Sequence, residues 1–173
     1  TPLFQKNDVV YTIAKERTIY ECKEVNAGFV YSHGALSMGD PNCLPELAEF
    51  NRQFSKEWYD KEQSLETAMQ TIRKGIQHNN IYQWNNGYSI CAIAQAMYDE
   101  FDFPVIGHVF TNPFFRGQGF ASSIVHALTK GLLEAGHEKC ILSTNALNPA
   151  SNRAFIKAGY KLIGEYVVYV KEK

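Results

Sequence analysis

Residues 116 to 122 read Arg-Gly-Gln-Gly-Phe-Ala-Ser, joining a guanidinium and two glycines to the start of an apolar-periodic run. A glycine loop feeding a helix makes an anion cradle. The first helical N–H groups have no internal partners, glycine lets the backbone come close, and the helix dipole adds about half a positive charge. A diphosphate suits such a site. A Walker loop is excluded, because no Lys-Ser or Lys-Thr follows these glycines, and a dinucleotide fingerprint is matched only as GxGxxS. Further on, Asn148-Pro149-Ala150-Ser151-Asn152 forms a second polar cluster. Asn-Pro starts helices well, so this cluster can cap a helix, bond a ligand, or do both.

These residues need elements to position them. PVIGHVFT predicts a strand that Pro113 ends, just before the loop. Ile124, Val125, Leu128, Leu132 and Leu133 then predict a helix over 121–134, stopping at Ala135-Gly136. KCILST reads as a short buried strand, PASNRAFIKAG as a helix ended by Gly159, and KLIGEYVVYV as a last strand. Upstream, Leu47, Phe50, Phe54 and Trp58 recur at helical spacing, as do Leu65, Ala68, Met69, Ile72 and Ile76 behind a Ser64 cap. Asn86-Gly87 between IYQW and YSICAIAQAMY predicts a hairpin with positive φ at both turn positions. VVYTIA (9–14), TIYEC (18–22) and FVYS, after a turn at Asn26-Ala27-Gly28, predict three more strands. The order gives a mixed α/β fold of α+β type, one sheet flanked by helices. Residues 1–36 are set apart as N-terminal strands, belonging either to this domain or to the tail of an upstream segment; residues 37–173 are the domain itself.

With Arg116, Gly119 and Ala121 in the loop, Pro113 ahead of it, and Asn148 before a helix that ends in Gly159-Tyr160, residues 81–170 resemble the GNAT superfamily of acyl-CoA-dependent N-acyltransferases. The wording VFT-P--RGQGFA with NPASN is similar to its glycine N-acyltransferase branch. The resemblance implies a central, mostly antiparallel sheet with a splayed strand pair. It also implies acetyl-CoA or another acyl-CoA as co-substrate, no metal, and direct attack by the amine of a small molecule or peptide in a ternary complex. Carried over by position, the backbone of Val109, Phe110 and Thr111 would bond the acyl carbonyl and pantetheine. Arg116 and the N–H groups of Gly117, Gln118, Gly119, Phe120, Ala121 and Ser122 would hold the pyrophosphate. Asn148 would bond the pantetheine, with Ser151 or Asn152 toward the adenosine. A binding module that holds acyl-CoA without turnover is the alternative.

The departures bear on mechanism. Phe155 stands where many members place a tyrosine that protonates the leaving thiolate, and Ser143 where a glutamate base often stands. Ser143, Asn145 and Tyr160 are the candidate catalytic residues, with Tyr166 and His108 as further stand-ins. Deprotonating a lysine amine of pKa about 10.4 at pH 7 costs roughly 4–5 kcal/mol, against about 1 for an α-amine near 8. A site lacking a strong base is easier to reconcile with the latter.

Lys plus Arg number 17 and Asp plus Glu 18, so no general positive field draws in nucleic acid or anionic lipid. The apolar stretches fall short of the ~18 residues of a membrane span, and the first residues lack the apolar block of a signal peptide. Cys22, Cys43, Cys91 and Cys140 show no metal pairing and read as reduced, buried thiols. A cytoplasmic monomer or homodimer is expected, with no nucleic-acid or membrane partner. His33, His78, His126 and His137 lack ligand spacing and are expected at the surface in structural or solvated roles. Glu57 and Asp60 are expected to be solvated helix charges, though they could meet a cationic amine.

Overall fold

The computed structural model describes residues 4–6 and 9–171. Its strands are β1 (Phe4–Lys6), β2 (Val9–Cys22), β3 (Ala35–Met38), β4 (Ile81–Asn85), β5 (Ile90–Tyr98), β6 (Pro104–Thr111), β7 (Cys140–Asn145) and β8 (Lys161–Lys171). The helices are α1 (Leu44–Tyr59), α2 (Leu65–Gln77), α3 (Phe120–Glu134) and α4 (Pro149–Ala158). The sheet runs β1-β2-β7-β6-β5-β4-β3, with β8 also paired to β2. Every pairing is antiparallel except that of β6 with β7. The parallel pair holds together only at Val105↔Ile141 and Ile106↔Leu142, then parts. This is the splayed pair that the resemblance implied.

Two cores form on the two faces of the sheet. Ile124, Leu128 and Phe155 pack with Tyr20, Trp84 and Leu142, while Leu47, Phe54 and Ile72 pack with Ile81, Ile93 and Phe110. Along the middle of β5 successive residues serve opposite cores, Ala92 and Ala94 the first and Ile93 the second, so residues 90–94 read as one apolar run. Each large side chain so buried contributes about 1.5–3 kcal/mol, which fixes the helices on the sheet far more firmly than their propensities do.

Several expectations change. FVYS is irregular rather than a strand, and the strand comes later, at Ala35–Met38. Phe29 and Tyr31 spend their apolar surface on His126 instead: Phe29 stacks on its ring at 4.2 Å and Tyr31 meets it edge-on at 5.2 Å. His126 is therefore buried at 4% exposure, not at the surface. VVYTIA and TIYEC are one strand, β2, which continues through Lys15-Glu16-Arg17 because β8 pairs with those three residues at Val168, Val167 and Tyr166. The Asn86-Gly87 hairpin is present, but only Gly87 takes positive φ (94°), and Asn86 instead accepts from the N–H groups of Tyr88 and Ser89. Cys22, Cys91 and Cys140 are buried free thiols, and Cys43 is half-buried. Among the described residues, no helix is long and apolar enough to cross a membrane.

Candidate active site

Where β6 and β7 part, the structure opens a cavity of about 700 Å³ running from the strand edge to the start of α3 and along α4. Its first wall is β6. Ile93 faces Phe110 and Gln95 faces Gly107, so one residue of β5 opposes two of β6, His108 and Val109. That is a β-bulge, which bends the strand and leaves an extra residue outside the ladder. Val109, Phe110 and Thr111 line the cavity just past it, on the stretch that has already lost its β7 partner. Among the described residues the β7-facing edge here has no strand partner, so its backbone groups, apart from the Thr111 carbonyl that accepts from Arg116 Nε, are available to a ligand.

The second wall is the loop. Gly119 is the N-cap of α3 at φ 82° and supplies no side-chain cap, so the first N–H groups of the helix face the cavity uncapped. Gly117, at φ 76°, and Gly119 line the cavity with Phe120, Ala121 and Ser122. Gln118 does not: its side chain is away from the cavity lining and its carbonyl accepts from Ser32 Oγ at 2.7 Å. Ser32 also donates its N–H to Ser123 Oγ at 2.9 Å, so the segment before β3 straps the loop in place. A Cβ on Gly119 would come 3.1 Å from Ser32 Oγ, and the left-handed φ would be strained besides.

Arg116 is engaged in a way its sequence position did not foretell. Its Nη2 reaches both Glu57 oxygens, at 2.8 and 3.0 Å, and its Nε donates to Thr111 O at 3.1 Å. Glu57 is thus more than a solvated helix charge: it ties the loop to α1. Both partners are nearly half exposed, so the pair contributes at most about 1 kcal/mol. The third wall, α4, adds Arg153 and Lys157. Three cations against one carboxylate line the cavity, which suits an anionic guest. Their i, i+4 spacing on α4 was readable in the sequence as one basic face, though the sequence reading passed over it.

Asn148 caps α4, its Oδ1 accepting from the Ser151 N–H at 3.2 Å, and both residues line the cavity. Asn152 does not reach it. Its Oδ1 accepts from the Thr18 and Tyr20 hydroxyls, and its Nδ2 donates to the carbonyls of Asn145 and Asn148. With its amide saturated, Asn152 ties α4 to β2 and β7 rather than binding a ligand.

Behind the bulge lies a second chamber of about 200 Å³. Trp58, Val109, Ser151 and Phe155 line both spaces, so the two meet at the bulge. Ser143 and Asn145 line this rear chamber with Arg17 and His108. Ser143 Oγ accepts from Arg17 Nε at 3.3 Å and lies 3.5 Å from the Tyr166 hydroxyl. Tyr160 is elsewhere. It is buried in the core at 2% exposure, its hydroxyl is 2.7 Å from that of Thr129, and burial pushes its pKa well above the ordinary phenol range. A phenol packed there lines neither space. Burial also pushes the Cys22 and Cys140 thiols up to about 11 and about 12, which removes them as nucleophiles.

The described residues contain no group of three or more His, Cys, Asp or Glu side chains placed to hold a metal ion. Phe155, 6% exposed, occupies the junction of the two spaces with a ring that cannot donate a proton.

Comparison with known proteins agrees with this architecture. Residues 91–169 match the family model described as FR47-like protein. No curated protein matches the chain in sequence. Among solved structures, a GNAT-family acetyltransferase from Colwellia psychrerythraea superposes at TM-score 0.70 with 16% identity, over 94% of this chain and 57% of that one. A GCN5-related N-acetyltransferase from Sphaerobacter thermophilus superposes at 0.69 with 15% identity, over 94% of this chain and 52% of that one. The chain therefore spans little more than half the length of these two. A GNAT-family acetyltransferase from Bacillus cereus superposes at 0.60 with 15% identity, over 80% of this chain and 97% of that one. With a bulged strand, a parting parallel pair and an uncapped helix start in one cavity, the chain has the GNAT acyltransferase fold, and its residues 91–169 carry the FR47-like pattern.

Proposed function

We propose that the protein moves an acyl group from acyl-CoA, acetyl-CoA being the simplest, to an amine held in the rear chamber. The observation that carries this is the continuity of one wedge: a cationic, uncapped helix start at one end, an unpaired strand edge along its length, and a second chamber behind the bulge. The diphosphate would lie on the N–H groups after Arg116, where each charge-assisted hydrogen bond contributes about 1.5–3 kcal/mol. The pantetheine arm, an extended chain with two amides, would take the free edge of Val109 and Thr111 as a strand would. Its thioester would then sit at the junction lined by Val109 and Phe155, where a backbone N–H can stabilise the oxyanion that forms on attack. The amine attacks directly, and no covalent enzyme intermediate is involved.

Phe155 favours a second reading, in which the wedge holds acyl-CoA without turnover. Calorimetric titration with acetyl-CoA followed by measurement of thiol release across a panel of amines tests both. Uptake with release supports transfer, uptake without release supports the binding module, and absence of uptake removes both.

A further inference from the structure

His108 is the residue in the wedge whose state asks most for explanation. Among the described residues, its Nδ1 is the one side-chain polar atom that is shut away without a hydrogen-bond partner. Its backbone sits at φ 49°, in the left-handed region, at the bulge. A non-glycine residue there is strained, and glycine is the residue that usually fills a left-handed bulge position. A buried polar atom left unpartnered adds the cost of its lost hydration. Strain of this kind persists where the surroundings hold it in place, and it gathers at working sites.

The ring's surroundings are specific. It packs on Phe54 of α1, with centroids 4.9 Å apart, and lines the rear chamber where that chamber meets the acyl end of the wedge. The polar groups lining that space with it are Arg17 of β2, Trp58 and Tyr59 of α1, Ser143, Thr144 and Asn145 of β7, and Ser151 of α4, with the Tyr166 hydroxyl of β8 against Ser143. None is a carboxylate. Arg17 carries a positive charge and Ser143 is already taken up by it, so among the described residues that line the chamber His108 is the one whose side chain can accept a proton near neutral pH.

We propose that His108 is the catalytic base for acyl transfer, taking the proton that the acceptor nitrogen loses as it bonds to the thioester carbon. The proposal rests on the acyl-transfer reading above. The amine enters as its free base, and its lone pair forms the C–N bond while the C=O pair moves to oxygen. The nitrogen, now cationic and acidic, gives one proton to the imidazole. The oxyanion re-forms the carbonyl, the C–S bond breaks, and the thiolate takes up the proton that the imidazolium returns, leaving an amide and a free thiol. The same group thus serves as base and then acid, which accounts for a phenyl ring at position 155. Nδ1 is shut away and no neighbour bonds it, so none fixes the tautomer, and the exchange of the proton with the chamber falls to Nε2. Burial pushes the imidazole below its ordinary pKa, and Arg17 adds no acidic counterweight, so the ring is neutral and ready at pH 7.

The test is His108→Asn in the full chain, since asparagine tolerates left-handed φ and keeps the bulge. Acetyl-CoA uptake is measured first by calorimetry, then kcat/KM by thiol release with acetyl-CoA, using an alkylamine and a hydrazine as acceptors. The expected result is unchanged coenzyme affinity, a loss of about 10²–10⁴ in kcat/KM with the alkylamine, and a much smaller loss with the less basic hydrazine. In the parent, the acid limb of log kcat/KM should steepen from slope one to slope two on the acid side of the ordinary imidazole range, where His108 takes up a proton. That extra slope should vanish in His108→Asn, an effect that a merely structural role would not produce. A parent that takes up acetyl-CoA but acylates no amine, an Asn variant within twofold of the parent, or equal losses on both acceptors would each overturn the proposal. A parent that takes up no acetyl-CoA would overturn the reading beneath it instead.

Discussion

Replacing Gly119 with alanine separates the anion cradle from the rest of the fold. The glycine holds φ at 82°, where an L-residue pays about 1–2 kcal/mol. The new Cβ would press on Ser32 Oγ from 3.1 Å, tighter than ordinary contact, against a hydroxyl that is itself fixed by its bond to Gln118 O. Relief requires either losing that hydrogen bond, about 1 kcal/mol, or shifting the loop. The folded protein should therefore lose about 1–3 kcal/mol, a fall in Tm of about 2–10 °C for a chain of this size. Any relief by backbone movement turns the N–H groups of Phe120 and Ala121 away from the diphosphate. If two such bonds are weakened by about 1 kcal/mol each, coenzyme affinity falls roughly 30-fold. Gly131→Ala is the control. It lies in the same helix, nothing approaches its Cβ position within 4 Å, and its φ is not left-handed, so alanine should stabilise by up to about 1 kcal/mol with affinity unchanged. Acetyl-CoA titration and thermal unfolding of the pair decide the matter. If Gly119→Ala lowers Tm yet binds as the parent does, the uncapped helix start does not hold the diphosphate.

Four further outcomes are expected. Asn152→Ala removes a group that makes four hydrogen bonds between α4, β2 and β7, so urea unfolding should show a loss of about 3 kcal/mol or more; coenzyme affinity in the folded protein should change less than fivefold. Asn148→Ala loses a helix cap and the bond from Nδ2 to Ser151 Oγ, about 1–2 kcal/mol in the same assay, but should weaken coenzyme uptake, because Asn148 lines the cavity and Asn152 does not. Glu57→Gln releases Arg116 toward the phosphates: calorimetry should show acetyl-CoA binding tightened several-fold with a steeper salt dependence, while Tm moves little. Burial is the main cause that lowers the His126 pKa, and the ring is neutral, its Nε2–H donating to the Asn26 carbonyl and its Nδ1 accepting from Tyr31. A depressed folded pKa means the unfolded chain binds the proton more readily, so stability is complete above about pH 6.5 and declines as pH falls below it. Urea midpoints at pH 7.5 and 5.5 should show that decline, and His126→Gln should flatten it.

The legible parts of the molecule were those written in short-range pattern. The start of α3, the cap of α4 and its stop at Gly159 each rest on residues a few places apart, and all lie where the sequence puts them. What escaped depended on partners distant in the chain. FVYS has strand composition, yet Phe29 and Tyr31 find a better surface on His126, and nothing in the local sequence announces that ring. The bulge at His108 is a matter of register between β5 and β6, invisible in either strand alone. Tyr160 follows Gly159 as the family pattern asks, but the αL turn at Gly159, φ 114°, aims the next side chain into the core against Thr129. Arg116 was carried over as a phosphate ligand from the family's loop pattern, and its further partner Glu57 was not readable because it lies on a helix 59 residues earlier.

The bulge joins the two halves of the site at a single strained point. Without an extra residue in β6, the ladder with β5 would continue in register, and the side chain at 108 would alternate to one face of the sheet like its neighbours. With it, Val109 and Thr111 keep the edge that the departing β7 has left bare, while His108 turns into the space behind. Glycine at 108 would relax the backbone and asparagine would relax it in part, so stability alone gives no reason for an imidazole with no hydrogen bond at Nδ1. Its contact with Phe54 returns about 0.5–1.5 kcal/mol, which does not offset both the left-handed backbone and the unpartnered nitrogen. A residue that the fold would do better without, standing where the acyl group must pass and where no carboxylate lines the chamber, is best explained by the proton it can take.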